Sequence, residues 1–164
     1  MSLNRILGVD PGSRIAGFAL IDSSCPRPVF PRDFSVLDVG VIRFTGKESV
    51  VDRIGQLHNA LYELIRELKP SICVFENVYS GKNPLSALKL GQVRGAFIAA
   101  AARCSVKAEE IASTRVKSLV TGRGHASKTE VSEALKLLMG FEQGSLPHDA
   151  SDALAIALSY GLQR

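Results

Sequence analysis

Two short apolar runs, each closed by a carboxylate, constrain this chain more than any other feature. Ile6-Leu7-Gly8-Val9 leads into Asp10, and Ile72-Cys73-Val74-Phe75 leads into Glu76. Each run predicts a buried β-strand. The second, which does not alternate between apolar and polar residues, predicts a central strand covered on both faces by other layers. An acid at the end of such a strand is costly to bury without a compensating partner, and a divalent cation is the obvious one. Two carboxylates about 4 Å apart repel by roughly 4 kcal/mol at an effective dielectric near 20, so converging acids without cations take up protons or splay apart.

The rest of the sequence supplies the layers. Ile6 to Asp10 and Ile15 to Asp22 flank Pro11-Gly12-Ser13-Arg14, a turn that predicts a β-hairpin. A proline-bearing excursion, Cys25 to Pro31, precedes a third strand near Val36 to Phe44. Val50, Ile54, Leu57, Leu61, Leu64, Ile65 and Leu68 recur at helical spacing, and Pro70 stops that helix. Asn83-Pro84 reads as a cap and first-turn proline opening a long helix to about Arg103, in which Gly91, Gly95 and Ala99 recur every fourth residue. Glycine in a helix interior costs about 1 kcal/mol relative to alanine, so close approach of another backbone is expected there, from the protein's own sheet or from a second subunit. A strand at Val106 to Ile111, a short helix at Thr114 to Val120 and a glycine turn at Gly122 to Gly124 follow. Ser127-Lys128-Thr129-Glu130 then has capping-box spacing, and the last helix runs from about Pro147 to Leu162.

Alternation of strands and helices in 164 residues, 46% of them hydrophobic, is that of one α/β domain spanning 1–164. The net charge of +4 permits a polyanionic partner without demanding one. From Gly81 to Lys128 nine Lys or Arg stand against two Glu, which suggests a basic face, although a solvated surface balanced elsewhere in the fold explains the charge equally well. Cys25, Cys73 and Cys104 have no metal-ligand spacing and read as reduced cysteines of a cytoplasmic protein. No signal-peptide pattern or membrane-length apolar run is expected to send the chain to a membrane.

Asp149 and Asp152, three apart at the head of the last helix, share one face and can converge on one ion or bracket two. Acids at a helix start are also ordinary N-terminal stabilisers, and Asp10 before Pro-Gly is also an ordinary turn residue. Glu76 has no such capping role. The joint occurrence of the four acids in this order points to metal-assisted phosphodiester cleavage.

Gly8-Val9-Asp10-Pro11-Gly12-Ser13, Phe75-Glu76-Asn77-Val78-Tyr79, Lys82-Asn83, Ser86-Ala87-Leu88-Lys89-Leu90-Gly91-Gln92, Gly122-x-Gly124-x-Ala126-x-Lys128 and Asp149-Ala150-x-Asp152-Ala153-Leu154-Ala155 closely resemble the RuvC family of Holliday junction resolvases, from Ile6 to about Tyr160. The resemblance implies a ribonuclease H-like fold, a mixed five-stranded sheet flanked by helices. It also implies a homodimer that nicks two strands of a four-way junction symmetrically, in company with the RuvA and RuvB branch-migration proteins. Carried over residue by residue, it makes Asp10, Glu76, Asp149 and Asp152 catalytic magnesium ligands. Two ions are expected, and manganese can substitute. Tyr79 falls where the family stacks an aromatic on an unpaired base, and Lys117 and Lys128 where it has basic residues near the scissile phosphate, Lys128 in a catalytic role. Lys82 and Arg123, in or beside matched motifs, join them as DNA-binding residues. The Cys25 to Pro31 excursion looks longer than the family's usual connection.

Among the histidines, His148 can serve as an extra ligand or as a plain helix-start residue, His58 belongs to an apolar helix face, and His125 lies in the glycine turn. Sugar kinases and actin-like ATPases share an opening like Asp10-Pro11-Gly12-Ser13 but need two such domains around a nucleotide, for which this chain is short. A ribonuclease H-like nuclease acting on RNA or on other branched DNA remains the alternative.

Overall fold

A computed structural model of the chain describes residues 5–23, 25–44, 48–77, 84–140 and 146–163. Strands β1 (Ile6–Asp10), β2 (Ile15–Asp22) and β3 (Ser35–Arg43) form an antiparallel meander. Helix α1 (Val50–Leu68) leads to β4 (Ile72–Asn77) and α2 (Pro84–Arg103) to β5 (Lys107–Ala112). Helices α3 (Ser113–Thr121), α4 (Lys128–Met139) and α5 (His148–Leu162) close the chain. The sheet order is β3-β2-β1-β4-β5, with β4 parallel to both β1 and β5. This is the mixed five-stranded sheet flanked by helices that the sequence leads one to expect.

The period-two alternation of the strands divides the core. Leu7 and Val9 of β1, with Cys73 and Phe75 of β4, pack under Leu57, Leu61 and Ile65 of α1 and Val93 and Phe97 of α2. Ile6 and, two residues apart on β4, Ile72 and Val74 face the other way, against Val116 of α3, Val131 and Leu135 of α4 and Leu154 and Leu158 of α5. Asp10 and Glu76 continue this second set by two-residue steps, so both acids emerge on the face that α5 covers.

Local chemistry sets the helix boundaries. The Ser49 side chain caps α1 by accepting from the Asp52 amide at 3.2 Å, and Lys69 ends it in the left-handed conformation just before Pro70. At α4 the capping box forms as its spacing predicts: the Glu130 carboxylate accepts from the Ser127 amide at 2.7 Å, and the Ser127 hydroxyl accepts from the Glu130 amide at 3.2 Å. Asn83, the expected cap of α2, lies outside the described residues. Cys73 is fully buried, which pushes its thiol up to about 12, whereas Cys25 and Cys104 are only partly buried.

Two expectations need correction. Strand β4 runs on through Asn77, so Glu76 lies inside the strand rather than at its end. In α2, a methyl group added at Gly91 or Gly95 would meet nothing within 4 Å among the described residues, so of the two partners expected for these glycines the protein's own sheet is not the one. That face is open because the sheet is reached instead through Val93, Phe97, Ala100 and Ala101.

Candidate active site

The site begins with the parallel register of β1 and β4. Ile6 pairs with Ile72 and Val9 with Phe75. Asp10, the last residue of β1, and Glu76, the last but one of β4, are the next residues along, near the C-terminal ends of two adjacent strands. Strand ends at the middle of such a sheet are where loops and helix starts leave room for ligands.

Helix α5 brings the other two acids, and glycine makes its approach possible. Gly17 is the cross-strand partner of Asp10, and a Cβ there would collide with the Asp149 carbonyl. A Cβ on Gly8 would strike the Ala153 carbonyl, the Ala157 amide and, at 2.8 Å, the Ala157 methyl. The backbone of α5 therefore lies on the sheet with no side chain between, its first turn beside Asp10. Asp149 is in that first turn, where the helix dipole favours a negative charge. Asp152, expected beside it at the head of the helix, lies instead in the second turn, because α5 starts at His148, and it faces α4.

Charge coupling shows that these groups share one locality. Burial, followed by repulsion from Asp152 and Glu76, raises the Asp10 carboxyl from 3.8 to about 7; Asp149 adds to the rise and Lys128 opposes it. The Lys128 ammonium donates to Asp152 Oδ2 at 2.8 Å, and that bond, with the fields of Asp152, Asp10 and Glu76, raises the lysine above its ordinary value despite partial desolvation. Among the described residues no three acid, histidine or cysteine side chains stand at chelating distance. The crowding of these carboxylates is felt at Asp10, and Lys128 supplies the counter-charge.

Next to the acids lies a cleft of about 110 Å³ lined by Glu76, Asp152, Lys117, Lys128 and Ser113 together with Val116, Val131 and Ala155. Lys117 and Lys128 thus face the same space as two of the acids. Ser113 was not singled out from the sequence, and nothing in its immediate context marks it; only the direct passage from β5 into α3 brings it to the cleft. Arg123 sits at the mouth of α4, 71% exposed, with its guanidinium 2.5 Å from Glu130. Tyr79 and Lys82 lie outside the described residues. His148 and His125 are exposed, and His58 is partly buried and stacked on Tyr62. A larger groove of about 420 Å³, between Pro26, Val29, Phe34 and Gly161, lies at the opposite end of the sheet, where Arg27 is the sole charged residue among the described residues of its lining. Volume alone would favour that groove; the chemistry favours the cleft.

Residues 6–160 match the sequence model of a family described as crossover junction endodeoxyribonuclease RuvC. The chain belongs to the RuvC family. Crossover junction endodeoxyribonuclease RuvC of Dichelobacter nodosus (strain VCS1703A) is 38% identical over 98% of this chain and 86% of its own length. That of Chlorobium phaeobacteroides (strain DSM 266 / SMG 266 / 2430) is 43% identical over 93% of this chain and 79% of its own. Among solved structures, Thermus thermophilus RuvC in complex with Holliday junction substrate matches with a TM-score of 0.84 at 25% identity, covering 98% of this chain and 94% of that one. The ribonuclease H-like fold expected for a RuvC-family chain is therefore the one observed.

Proposed function

We propose that this chain is a Holliday junction resolvase of homologous recombination and DNA repair, an endodeoxyribonuclease that nicks two strands of a four-way junction symmetrically and depends on magnesium. The observation that carries this reading is the convergence of Asp10, Glu76, Asp149 and Asp152 from two strands and a helix beside a cleft shared with Lys117 and Lys128. Membership in a family of crossover junction endodeoxyribonucleases supports the same substrate class.

The donor set fits a hard cation. The acids offer only carboxylate oxygens, and among the described residues neither histidine nor cysteine lines the cleft, which suits magnesium rather than a soft metal. Asp10, Glu76, Asp149 and Asp152 would hold two ions, manganese being able to replace magnesium. When bound, such ions lower the pKa of a water and stabilise the leaving oxygen of an in-line displacement at phosphorus. The acids contribute a fixed array of negative charge, in which Asp10 must give up its proton for an ion to be held. Lys128, already drawn into that array by Asp152, is the group to neutralise charge growing on the phosphoryl oxygens, and Lys117 grips the adjoining backbone.

In this reading Tyr79 stacks on an unpaired base at the crossover, a contact worth about 1–3 kcal/mol, and Lys82 and Arg123 hold phosphates. For Arg123 this means exchanging Glu130 for DNA. The chain acts as a single nuclease domain and as a homodimer, since two equivalent strands call for two sites related by a two-fold axis. The open Gly91 and Gly95 face of α2 supports a subunit contact. RuvA and RuvB are the proposed partners and the cytoplasm the proposed compartment. Among the described residues no helix is long and apolar enough to cross a membrane.

The test is substrate competition: labelled synthetic four-way junction, matched duplex and RNA–DNA hybrid are incubated with the chain, with magnesium or with a chelator. Paired nicks on the junction, only with magnesium, are expected. Faster cleavage of the hybrid would replace this reading with that of an RNA-directed nuclease.

A further inference from the structure

The last rung between β1 and β4 is Val9 opposite Phe75, but β4 continues through Glu76 and Asn77, which among the described residues pair with Ile111 and Ala112 of β5 alone. These two residues are held by the sheet on one side, and a segment with fewer backbone partners is more easily displaced. One of them is an acid of the site. The strand end does have a side-chain tie. Arg94 of α2 donates through Nη1 to Asn77 Oδ1 at 3.2 Å, and its Nε lies 3.2 Å from Glu110 Oε1 on β5. Asn77 and Glu110 both project on the side of the sheet that carries α1 and α2, opposite to Glu76, so Arg94 grips β4 from behind the site. The planar fork of a guanidinium presents donors to two partners in fixed directions, whereas a lysine ammonium acts as a point charge. As a partly exposed ion pair the contact would add little stability, so its value lies in what it holds in place.

We propose that Arg94 is a positioning residue for the acid site: by pinning Asn77 against β5 it fixes the backbone from which Glu76 projects, and so sets how well the site holds its cation. Arg94 itself touches neither substrate nor ion. The inference rests on the reading of Glu76 as a metal-holding acid. Groups that orient metal ligands from behind typically change metal affinity about 10- to 100-fold when removed.

The experiment measures magnesium binding to the full chain by calorimetry, together with the magnesium dependence of junction cleavage and the thermal midpoint. The variants are Arg94→Ala, Arg94→Lys, Asn77→Ala, the double variant Arg94→Ala/Asn77→Ala, and Glu76→Gln as reference. Arg94→Ala should weaken magnesium binding about tenfold and raise the half-saturating magnesium equally, with kcat largely recovered at saturation. Arg94→Lys, which can keep Glu110 but not both contacts, and Asn77→Ala should show the same weakening. The double variant should be no worse than Arg94→Ala, because the two residues act as one unit. A lowered thermal midpoint with unchanged magnesium affinity, or additive effects in the double variant, would overturn the proposal. If Arg94→Ala does not fold, Asn77→Ala alone decides by the same criterion. Should Glu76→Gln bind magnesium as tightly as the parent chain, the assignment of Glu76 falls, and the role of Arg94 with it.

Discussion

Asp10 is the residue on which burial and charge press hardest. Its carboxyl is raised from 3.8 to about 7, first by burial and then by Asp152 and Glu76, so in chelator the folded protein keeps a proton that the unfolded chain has already lost. Between those two values the native state binds more protons, and stability falls as pH rises through the window. Asp10→Asn removes this penalty: urea denaturation in chelator should find the variant more stable than the parent at about pH 8 and no more stable below about pH 4. Equal stability at the higher pH would mean that the acids do not crowd Asp10. Lys128 lowers the Asp10 value, so Lys128→Met should move the acid limb of the cleavage profile to higher pH. It should also reduce kcat about 10²-fold or more, as loss of a donor that stabilises transition-state charge does. An unshifted acid limb in that profile would separate Lys128 from the acids.

Elements deliver these side chains through contacts that composition does not reveal. Gly17→Ala would place a methyl on the Asp149 carbonyl, and relief requires the start of α5 to move away from Asp10. Overpacking of this kind costs about 1–3 kcal/mol, and cleavage should suffer more than that loss of stability explains, since displacement by about 1 Å can cost 10²-fold in rate. Normal turnover in Gly17→Ala would show that α5 need not sit so close. By contrast, Ser127→Ala at the cap of α4 should lower stability by about 1 kcal/mol in a thermal or urea melt, and a change within error would deny the cap its role. The end of α1 and the start of α4 were legible because Pro70, the Ser127 capping box and helical spacing are local signals, whereas the Ser49 cap of α1 was not read from the sequence. Asp10 and Glu76 were legible as acids closing buried strands, but that the two strands are neighbours needed the pairing of the sheet. The seating of α5 on glycine was not legible: Gly8 and Gly17 look like ordinary residues of apolar strands until the register sets them beneath Ala153 and Asp149. A glycine inside a strand was the available signal for close backbone approach. Close approach was expected instead at Gly91 and Gly95, where helix periodicity drew attention and where the described residues supply no neighbour. The bond of Lys128 to Asp152, across 24 positions, joins two helix starts that only the packing of α4 on α5 brings together.

For the whole molecule, the outward face of α2 and the pairing of two nicks belong together. If Gly95 lies at a subunit contact, Gly95→Arg should convert a dimer to monomers in analytical ultracentrifugation and uncouple the two nicks on a junction; a dimer that persists would move the contact elsewhere. The fold and the family were readable in the sequence because the motifs span the chain in order, whereas the tie from Arg94 to Asn77 and Glu110 needed the sheet to be assembled. At the centre of the account stands one claim, that four carboxylates from distant parts of the chain work as a single site against a DNA backbone. The most direct measurement compares the parent chain with Glu76→Gln and Asp149→Asn, reading cleavage of a four-way junction in magnesium and binding of the same junction in calcium. Each variant should lose cleavage by about 10³-fold or more, as removal of groups that act together does, while binding stays within a few-fold of the parent. Full cleavage by either variant would contradict the account.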